Sequence, residues 1–414
     1  MQNPHKVMIL GTGFAGIHAA KSVRRQLGEK VSVTLLGEKN HFVFTPMLHE
    51  AASGVIAAHL PAVPVRSITA KNGIRFVMAK AMRIHAKDNI VETTAGNLPY
   101  DTLLIATGAQ TNYFGIAGAE EYALPLKTIA DAQHIRRQLI SRYEEALTVK
   151  DLTKRRELMT VVVVGAGPTG VEFAAEVASL MHDTLCPACD QELAPEDLRI
   201  CLVNRSPRVL DMYPTSLQKK AMRALEKKGV ELHLGEEVTK VEEGAVWTAS
   251  GKRLGAGTVV WASGVRAHLP EFVDITPEIT PLGRVSVTNE LHLPEDAHIY
   301  VLGDAAHVPT KDGRGLPMLA QVAQQQGAYF GKVMKARLLG KVAKPFQAHL
   351  LGELVSLGRH AAIGLVFGIP ISGFVASVLW KGVYLMKYGF MPGRLRILTD
   401  WFLGIVARRD MTIE

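Results

Sequence analysis

A four-residue apolar run that breaks into glycines is the feature that most limits what this chain can become. Val7-Met8-Ile9-Leu10 reads as a buried parallel strand, Gly11-Thr12-Gly13-Phe14-Ala15-Gly16 as GxGxxG, and Ile17-His18-Ala19-Ala20 as an opening helix. Strand, glycine turn and helix in that order make a phosphate-binding corner. The first glycine permits the tight turn and the second lets backbone approach a pyrophosphate. The third lets helix lie on strand, so the diphosphate meets the helix N-terminus. About 20 residues further on, such a unit carries an acid for a ribose. Glu38, just after a second apolar run at 31–36, fits that position, with Lys39 beside it.

The corner occurs twice. Val161-Val162-Val163-Val164-Gly165-Ala166-Gly167-Pro168-Thr169-Gly170 repeats strand, glycines and helix start. Each copy has a downstream partner turn: Ala106-Thr107-Gly108 after the first, Ala262-Ser263-Gly264 after the second. Gly11 and Gly108 are 97 positions apart, and Gly165 and Gly264 are 99 apart. The chain therefore carries two dinucleotide-binding units of like design.

Length and composition agree. A chain of 414 residues, 48% of them hydrophobic, can build two or three globular domains. The net charge of +8 suits anionic cofactors or an anionic membrane surface. No nucleic-acid-binding motif accompanies it, and the basic residues are not interleaved with stacking aromatics. The three cysteines, Cys186, Cys189 and Cys201, are too few for a secreted disulfide framework. With the first strand starting near residue 7, no leader peptide is expected, and a reducing compartment is.

Residues 74–100 read as a short strand-rich insertion, and residues 126–158, polar and heptad-like, as an exposed connecting helix. The second unit runs from about 159 to 265 and includes an insertion at 182–197 with Cys186-Pro187-Ala188-Cys189. A zinc site there would need two more ligands, of which His182 could be one. A free or locally oxidised pair is the better expectation, and no metal site is expected. From 282 the chain returns to the first unit. The strand at 298–302 ends in Gly303-Asp304, where an acid can hydrogen-bond the ribityl chain of a flavin. A helix then starts near Ala320, carrying the amides Gln321, Gln324, Gln325 and Gln326 on more than one face.

Residues 361–380 form an uncharged stretch of 20, which is transmembrane length, but Gly364, Gly368, Pro370 and Gly373 interrupt it. A hairpin over 354–367 and a helix from about Ile371 are expected instead. In 394–409, Leu395, Leu398, Trp401, Phe402, Ile405 and Val406 fall on one helical stripe, flanked by Arg394, Arg396, Arg408 and Arg409. That pattern suits a helix lying in a membrane interface.

Taken together, these motifs resemble the type II NADH dehydrogenases, single-subunit NADH:quinone oxidoreductases of the two-dinucleotide-domain flavoprotein class. The resemblance spans the chain. It rests on both glycine motifs, Thr45 with Leu48-His49-Glu50-Ala51-Ala52, Ala106-Thr107-Gly108, Gly303-Asp304, Ala320-Gln321 with Gln325, and the amphipathic C-terminus. It implies an α/β fold of two Rossmann-like, glutathione-reductase-like domains, the second inserted in the first, plus membrane-associating C-terminal helices. The implied limits are 1–125 with 282–352 for FAD, 126–281 for NAD(P)H, and 353–414 for the membrane region.

By the same resemblance, FAD would be held without a covalent bond by Gly11, Gly13, Phe14, Ala15, Gly16, Glu38 or Lys39, Thr45, Thr107, Gly108, Gly303, Asp304 and Ala320. NAD(P)H would be held by Gly165, Gly167, Thr169, Gly170, Asn204, Arg205 and Gly264. Glu172 matches a family acid near nicotinamide and flavin, Gln321 and Gln325 match the quinone-site motif, and Lys381 matches a Lys that approaches the isoalloxazine. A homodimer, peripheral on the cytoplasmic face of the inner membrane, is implied.

One position departs from the pattern. After the strand at 200–203 the ribose acid is replaced by Asn204-Arg205, with Arg208 nearby, so use of NADPH beside NADH is expected. Three other readings compete. A sulfide:quinone oxidoreductase would need redox cysteines beside the flavin, one shortly before the second glycine motif and one in the C-terminal third, whereas all three cysteines fall at 186–201. A soluble flavoprotein reductase would not need the amphipathic tail. A nicotinamide-sensing flavoprotein would bind without turning over.

Overall fold

The computed structural model describes residues 4–189, 193–310 and 313–412. In chain order its main elements begin with β1 (His5–Leu10), α1 (Phe14–Leu27), β2 (Val31–Gly37), α2 (Leu48–Ala52), β3 (Arg75–Met78) and β4 (Thr102–Ile105). They continue with α3 (Ile129–Thr148), β5 (Thr160–Val164), α4 (Pro168–Leu180), β6 (Arg199–Asn204), β7 (Val230–Leu234) and β8 (Thr258–Trp261). The last are β9 (Ile299–Val301), α5 (Ala320–Leu338), α6 (Phe374–Lys387) and α7 (Met391–Val406).

The described residues pack as two units. One takes Met1–Phe42, Val63–Gln110 and Val265–Leu350; the other takes Val43–Ala62, Thr111–Gly264 and Leu351–Glu414. Packing thus groups 43–62 and the C-terminal stretch with the second glycine corner, whereas the limits expected from sequence follow cofactor roles.

The first unit is built on a parallel sheet in the order β9-β4-β1-β2-β3. Leu10 lies opposite both Leu36 and Ile105, and Val301 opposite Ile105, so the carboxyl ends of four strands come level. Ligands of such sheets bind beyond those ends. These strands are covered on both faces, which is why their sequences are continuous apolar runs. α5 lies directly on α1: a Cβ on Gly327 would sit 2.5 Å from Ala15 O, and one on Gly331 would sit 2.3 Å from Ser22 Oγ. Ala81–His85, Ile90–Thr93 and Gly96–Pro99 form the antiparallel ladder expected of the insertion, while Arg75–Met78 joins the main sheet.

The second unit repeats the design. Its parallel sheet runs from the short strand Leu124–Pro125 through β8, β5 and β6 to β7, with Val164 opposite Val203 and Trp261. α3 is more than the exposed connector expected. Thr128 and Asp131 close its N-terminus in a capping box, and Ala132, Ile135, Leu139, Ile140, Tyr143 and Ala146 are buried. Polar spacing on the outer face hid the buried one.

Towards the C-terminus, Gly352–Ser356, Ala362–Val366 and Ile369–Gly373 pair antiparallel, so the hairpin forms and α6 begins only at Phe374. Among the described residues, no helix is long and apolar enough to cross a membrane. α6 buries Ala376, Ser377 and Trp380, and α7 buries Gly393, Ile397 and Trp401. Phe374, Val375, Leu395, Leu398, Phe402, Ile405 and Val406 remain exposed. The stripe expected at 394–409 is therefore corrected at two positions. Trp401 and Arg409 turn inward, because buried carboxylates offer the indole N–H and the guanidinium better partners than solvent does.

Candidate active site

The two glycine corners share one construction. Gly11 and Gly165 adopt φ of +109° and +103°, open to glycine and strained for other residues. A Cβ on Gly11 would stand 2.2 Å from Ala106 O, and one on Gly165 would stand 2.8 Å from Ser263 Cα. The downstream turns thus pack on the first glycines, which is the reason for the near-equal spacings of the repeats. Gly16 and Gly170 are likewise closed by their own loops, each 1.9 Å from the first glycine's carbonyl oxygen.

The middle glycines behave differently. A Cβ on Gly13 or Gly167 would meet nothing within 4 Å. Neither the fold nor the backbone conformation demands glycine there, but a phosphate drawn against the main chain does. α1 and α4 also carry no acid in their first turns, so their positive ends are left for an anion. Both corners therefore fit a dinucleotide pyrophosphate.

In the first unit, Phe14 and buried Ala15 open α1, and Phe14 stacks edge-on against Phe42 at 4.8 Å. Glu38 and Lys39 are exposed just past β2. Thr107 donates its hydroxyl to His268 O, and Gly108 O accepts the His268 N–H at 3.1 Å, fixing the downstream turn. Gly303 N–H donates to Gln326 Oε1 at 2.6 Å. Gln326 is buried, so this amide of the helix serves the turn rather than solvent. Asp304, beside this turn, is half-buried and faces the positive charge of buried Arg284. Ala320 and Gln321 start α5. Gln325 donates to His349 O at 2.8 Å and accepts from His349 N at 2.9 Å, so its amide anchors the chain after α5.

In the second unit, Thr169 is exposed on the first turn of α4, and Gly264 turns close over the Phe114 ring. Asn204 Oδ1 accepts from Ala166 N at 3.1 Å, and its Nδ2 donates to Ser206 O and Arg208 O. Asn204 therefore holds the glycine loop itself. Arg205 stands in solvent, 82% exposed, with Glu237 at 3.8 Å. Thr45 starts a short helical turn that leads into α2.

The same unit contains a set of buried acids. α4 is covered along its length, yet carries Glu172 and Glu176 at i and i+4, one above the other on one face. Glu172 Oε1 accepts from Ser356 N at 3.0 Å and Trp380 Nε1 at 3.3 Å, and Oε2 lies 3.5 Å from His49 Nδ1. On α2, both Glu50 oxygens accept from Trp401 Nε1, at 3.2 and 3.1 Å. Glu176 Oε2 pairs with Arg409 at 2.7 Å. His49 Nε2 is buried without a hydrogen-bond partner.

Burial, reinforced by nearby Glu176, pushes the Glu50 carboxyl up to about 8. Burial also pushes Glu172 up to about 8, against the Ser356 and Trp380 hydrogen bonds. Burial takes His49 down to about 4, so the imidazole is neutral at neutral pH. Two carboxyls poised near the working pH beside a neutral imidazole are suited to holding and passing protons. Lys381 of α6 donates to Arg359 O at 3.4 Å and stands over the Trp401 ring at 5.5 Å.

Comparison with known proteins bears on what this arrangement serves. Residues 5–327 match the family model described as pyridine nucleotide-disulphide oxidoreductase. The chain is 31% identical to the type II NADH:quinone oxidoreductase Ndh of Mycobacterium tuberculosis, over 98% of this chain and 89% of that one. This protein belongs to the type II NADH:quinone oxidoreductases. The enzyme of that name from Staphylococcus saprophyticus is also 31% identical, over 92% and 94% of the two chains. NDH2 from Plasmodium falciparum in complex with NADH shares the fold, with a TM-score of 0.91 at 20% identity over 99% of this chain and 100% of that one. The sulfide:quinone oxidoreductase of Aquifex aeolicus superposes less well, with a TM-score of 0.75 at 19% identity over 98% and 96%.

Within this type II NADH:quinone oxidoreductase, all three cysteines are unbridged and lie in the second unit. Cys189 donates its thiol to Cys186 O at 3.0 Å; residues 190–192 of that insertion lie outside the described residues. Cys201, Glu231 and His233 bring possible ligand atoms within 4.8 Å of one another. Arg199, however, grips both Glu231 oxygens, at 2.8 and 2.7 Å, and Lys252 Nζ stands 3.0 Å from His233 Nδ1. Two cations already occupy the place of a metal.

Proposed function

We infer that the protein catalyses NADH + H⁺ + quinone → NAD⁺ + quinol, with FAD held non-covalently between the two half-reactions. The observation that carries this reading is the full-length family match together with two glycine corners whose middle residues open onto free space. When bound, FAD supplies the two-electron chemistry, accepting from the nicotinamide and giving to the quinone. The residues of the chain bind, orient and exchange protons.

Domain roles follow: 1–125 with 282–352 for FAD, 126–281 for the nicotinamide, 353–414 for membrane contact. Gly13 and the positive end of α1 receive the FAD pyrophosphate, Glu38 or Lys39 the adenosine, and Asp304 the ribityl hydroxyls. Gly167 and the positive end of α4 receive the nicotinamide cofactor's pyrophosphate. Glu172 passes a proton towards the quinone. The place of Asp304 on the turn after Gly303 and the buried, proton-holding Glu172 support these assignments. Gln321 and Gln325 border the quinone site, Gln325 through the segment it anchors at His349. Exposed Arg205 and the missing ribose acid support acceptance of a 2′-phosphate. The exposed apolar faces of α6 and α7 support attachment to a membrane surface, with a homodimer as a second use.

Purified protein mixed with NADH should lose its yellow absorbance and regain it when a soluble quinone analogue is added. Protein that stayed colourless when supplied with FAD, or stayed oxidised with NADH, would overturn the reading.

A further inference from the structure

The buried acids of the second unit are unevenly balanced. Glu50, Glu172 and Glu176 share their space with one guanidinium, that of Arg409. Arg409 lies just beyond α7, yet turns in to meet Glu176 Oε2 at 2.7 Å. It also donates to Ser53 O at 3.1 Å and Glu176 O at 3.0 Å. Ser53 follows α2, the helix that carries His49 and Glu50, and Glu176 is one turn from Glu172 on α4. A single side chain from the end of the polypeptide thus joins the two helices that hold the acids.

We propose that Arg409 is a positioning residue of the quinone half-reaction: by pairing with Glu176 it leaves Glu50 and Glu172 as the two carboxyls that hold and pass the exchangeable proton. The proposal rests on the function inferred above. Each turnover needs one proton from solvent, since NADH delivers two electrons and the other hydrogen. The pair hands one proton on, takes one back, and ends as it began.

The other groups facing the cluster do not replace Arg409. His49 is neutral and touches Glu172 at 3.5 Å. Lys381 acts on Glu50, and Lys228 on Glu176, through charge, with no ion pair in either case among the described residues. Tyr213, whose phenol hydrogen-bonds Glu353, and Tyr384 both interact with Glu172 and Glu353, and burial raises both phenols, so neither supplies a charge. Without the guanidinium, a buried carboxylate loses its counter-charge, and a further carboxyl must take up a proton.

The test uses full-length holoenzyme with Arg409→Met, Arg409→Lys and the double variant Arg409→Met with Glu176→Gln. Three readouts are needed: flavin bleaching by NADH alone, the pH profile of quinone turnover, and the infrared absorbance of protonated carboxyls in resting protein titrated around pH 8. Arg409→Met should bleach at the normal rate, move the quinone profile by about one pH unit, a tenfold change in proton affinity, and add protonated-carboxyl absorbance. Arg409→Lys should restore most of this. The double variant, which loses both charges together, should return to the wild-type profile, and it covers the case of a poorly folded single variant. An Arg409→Met profile and carboxyl band equal to wild type, or a double variant no better than the single, would overturn the proposal. Wild-type protein that NADH does not bleach would instead defeat the inferred function, and the carboxyl titration would still be readable.

Discussion

Nε1 of Trp401 lies 3.2 and 3.1 Å from the two carboxyl oxygens of Glu50, across 351 positions of sequence. Trp380 stands in the same relation to Glu172, at 3.3 Å. Each C-terminal helix thus gives one indole donor to one buried acid, and the two rings sit 6.3 Å apart. An indole N–H can donate but never accept. It tolerates either protonation state of the acid and lends its hydrogen bond more strongly to the ionised one.

This geometry gives stability a pH dependence. The Glu50 carboxyl titrates near 4.5 when unfolded and at about 8 when folded. The stability it contributes is fully present below about 4.5 and is lost as pH rises through about 8, because the native state retains the proton longer. Glu50→Gln should therefore gain on wild type as pH climbs through that window, by up to roughly 1.4 kcal/mol per unit. Urea melts at several pH values give the answer; a difference that stays flat speaks against a buried neutral carboxyl.

Gly13 and Gly16 should separate cofactor binding from folding. Gly13→Ala meets no protein atom within 4 Å, so the apoprotein should melt as wild type does while FAD affinity falls by about tenfold or more. Gly16→Ala puts a methyl 1.9 Å from Gly11 O and should cost about 1–3 kcal/mol in the apoprotein itself. Calorimetry with and without FAD distinguishes the two, and equal apoprotein melting temperatures would refute the contrast.

Gln326→Leu keeps the volume of the side chain but leaves the Gly303 N–H without its acceptor at 2.6 Å. A loss of about 1–3 kcal/mol is expected, with faster FAD release because Asp304 follows on the same turn. Unchanged FAD retention during dialysis would show that the turn does not depend on this amide.

Replacing Arg205 tests the choice of nicotinamide. Arg205→Gln should lower kcat/KM for NADPH by about tenfold, given an exposed charge-assisted contact to a phosphate, and leave that for NADH nearly unchanged. A strong NADH preference in wild type that the substitution does not alter removes Arg205 from specificity.

The outward apolar residues make a separate prediction. Leu398→Glu with Phe402→Glu changes two exposed side chains on α7. The pair should abolish sedimentation with anionic vesicles while flavin bleaching by NADH continues. Retention on vesicles would point to these helices packing on another copy of the chain.

What could be read in advance follows physical range. The glycine corners are local: strand, turn and helix start lie within 14 residues, and the clashes that demand Gly11 and Gly165 come from turns of matching type, so both units stood out in the sequence. Glu172 stood out only through family likeness. Glu50 appeared only within a family motif and Glu176 carried no mark at all, because the partners that meet them in the interior, Trp401 and Arg409, lie more than two hundred positions away. A stripe of apolar residues with flanking arginines looks the same whether its tryptophan faces lipid or a carboxyl. Gln326 was hidden for a like reason, since only the fold brings Gly303 to it.

Investigators who shorten an interfacial protein to gain solubility commonly remove its greasy end. Here that surgery would be self-defeating. Trimming the chain ahead of α7 would strip the indole from Glu50 and the guanidinium from Glu176 together with the sticky exterior. On the function proposed above, diminished turnover in such a product would report disturbed buried acids as much as a lost membrane contact, and point changes on the outer face tell those two losses apart.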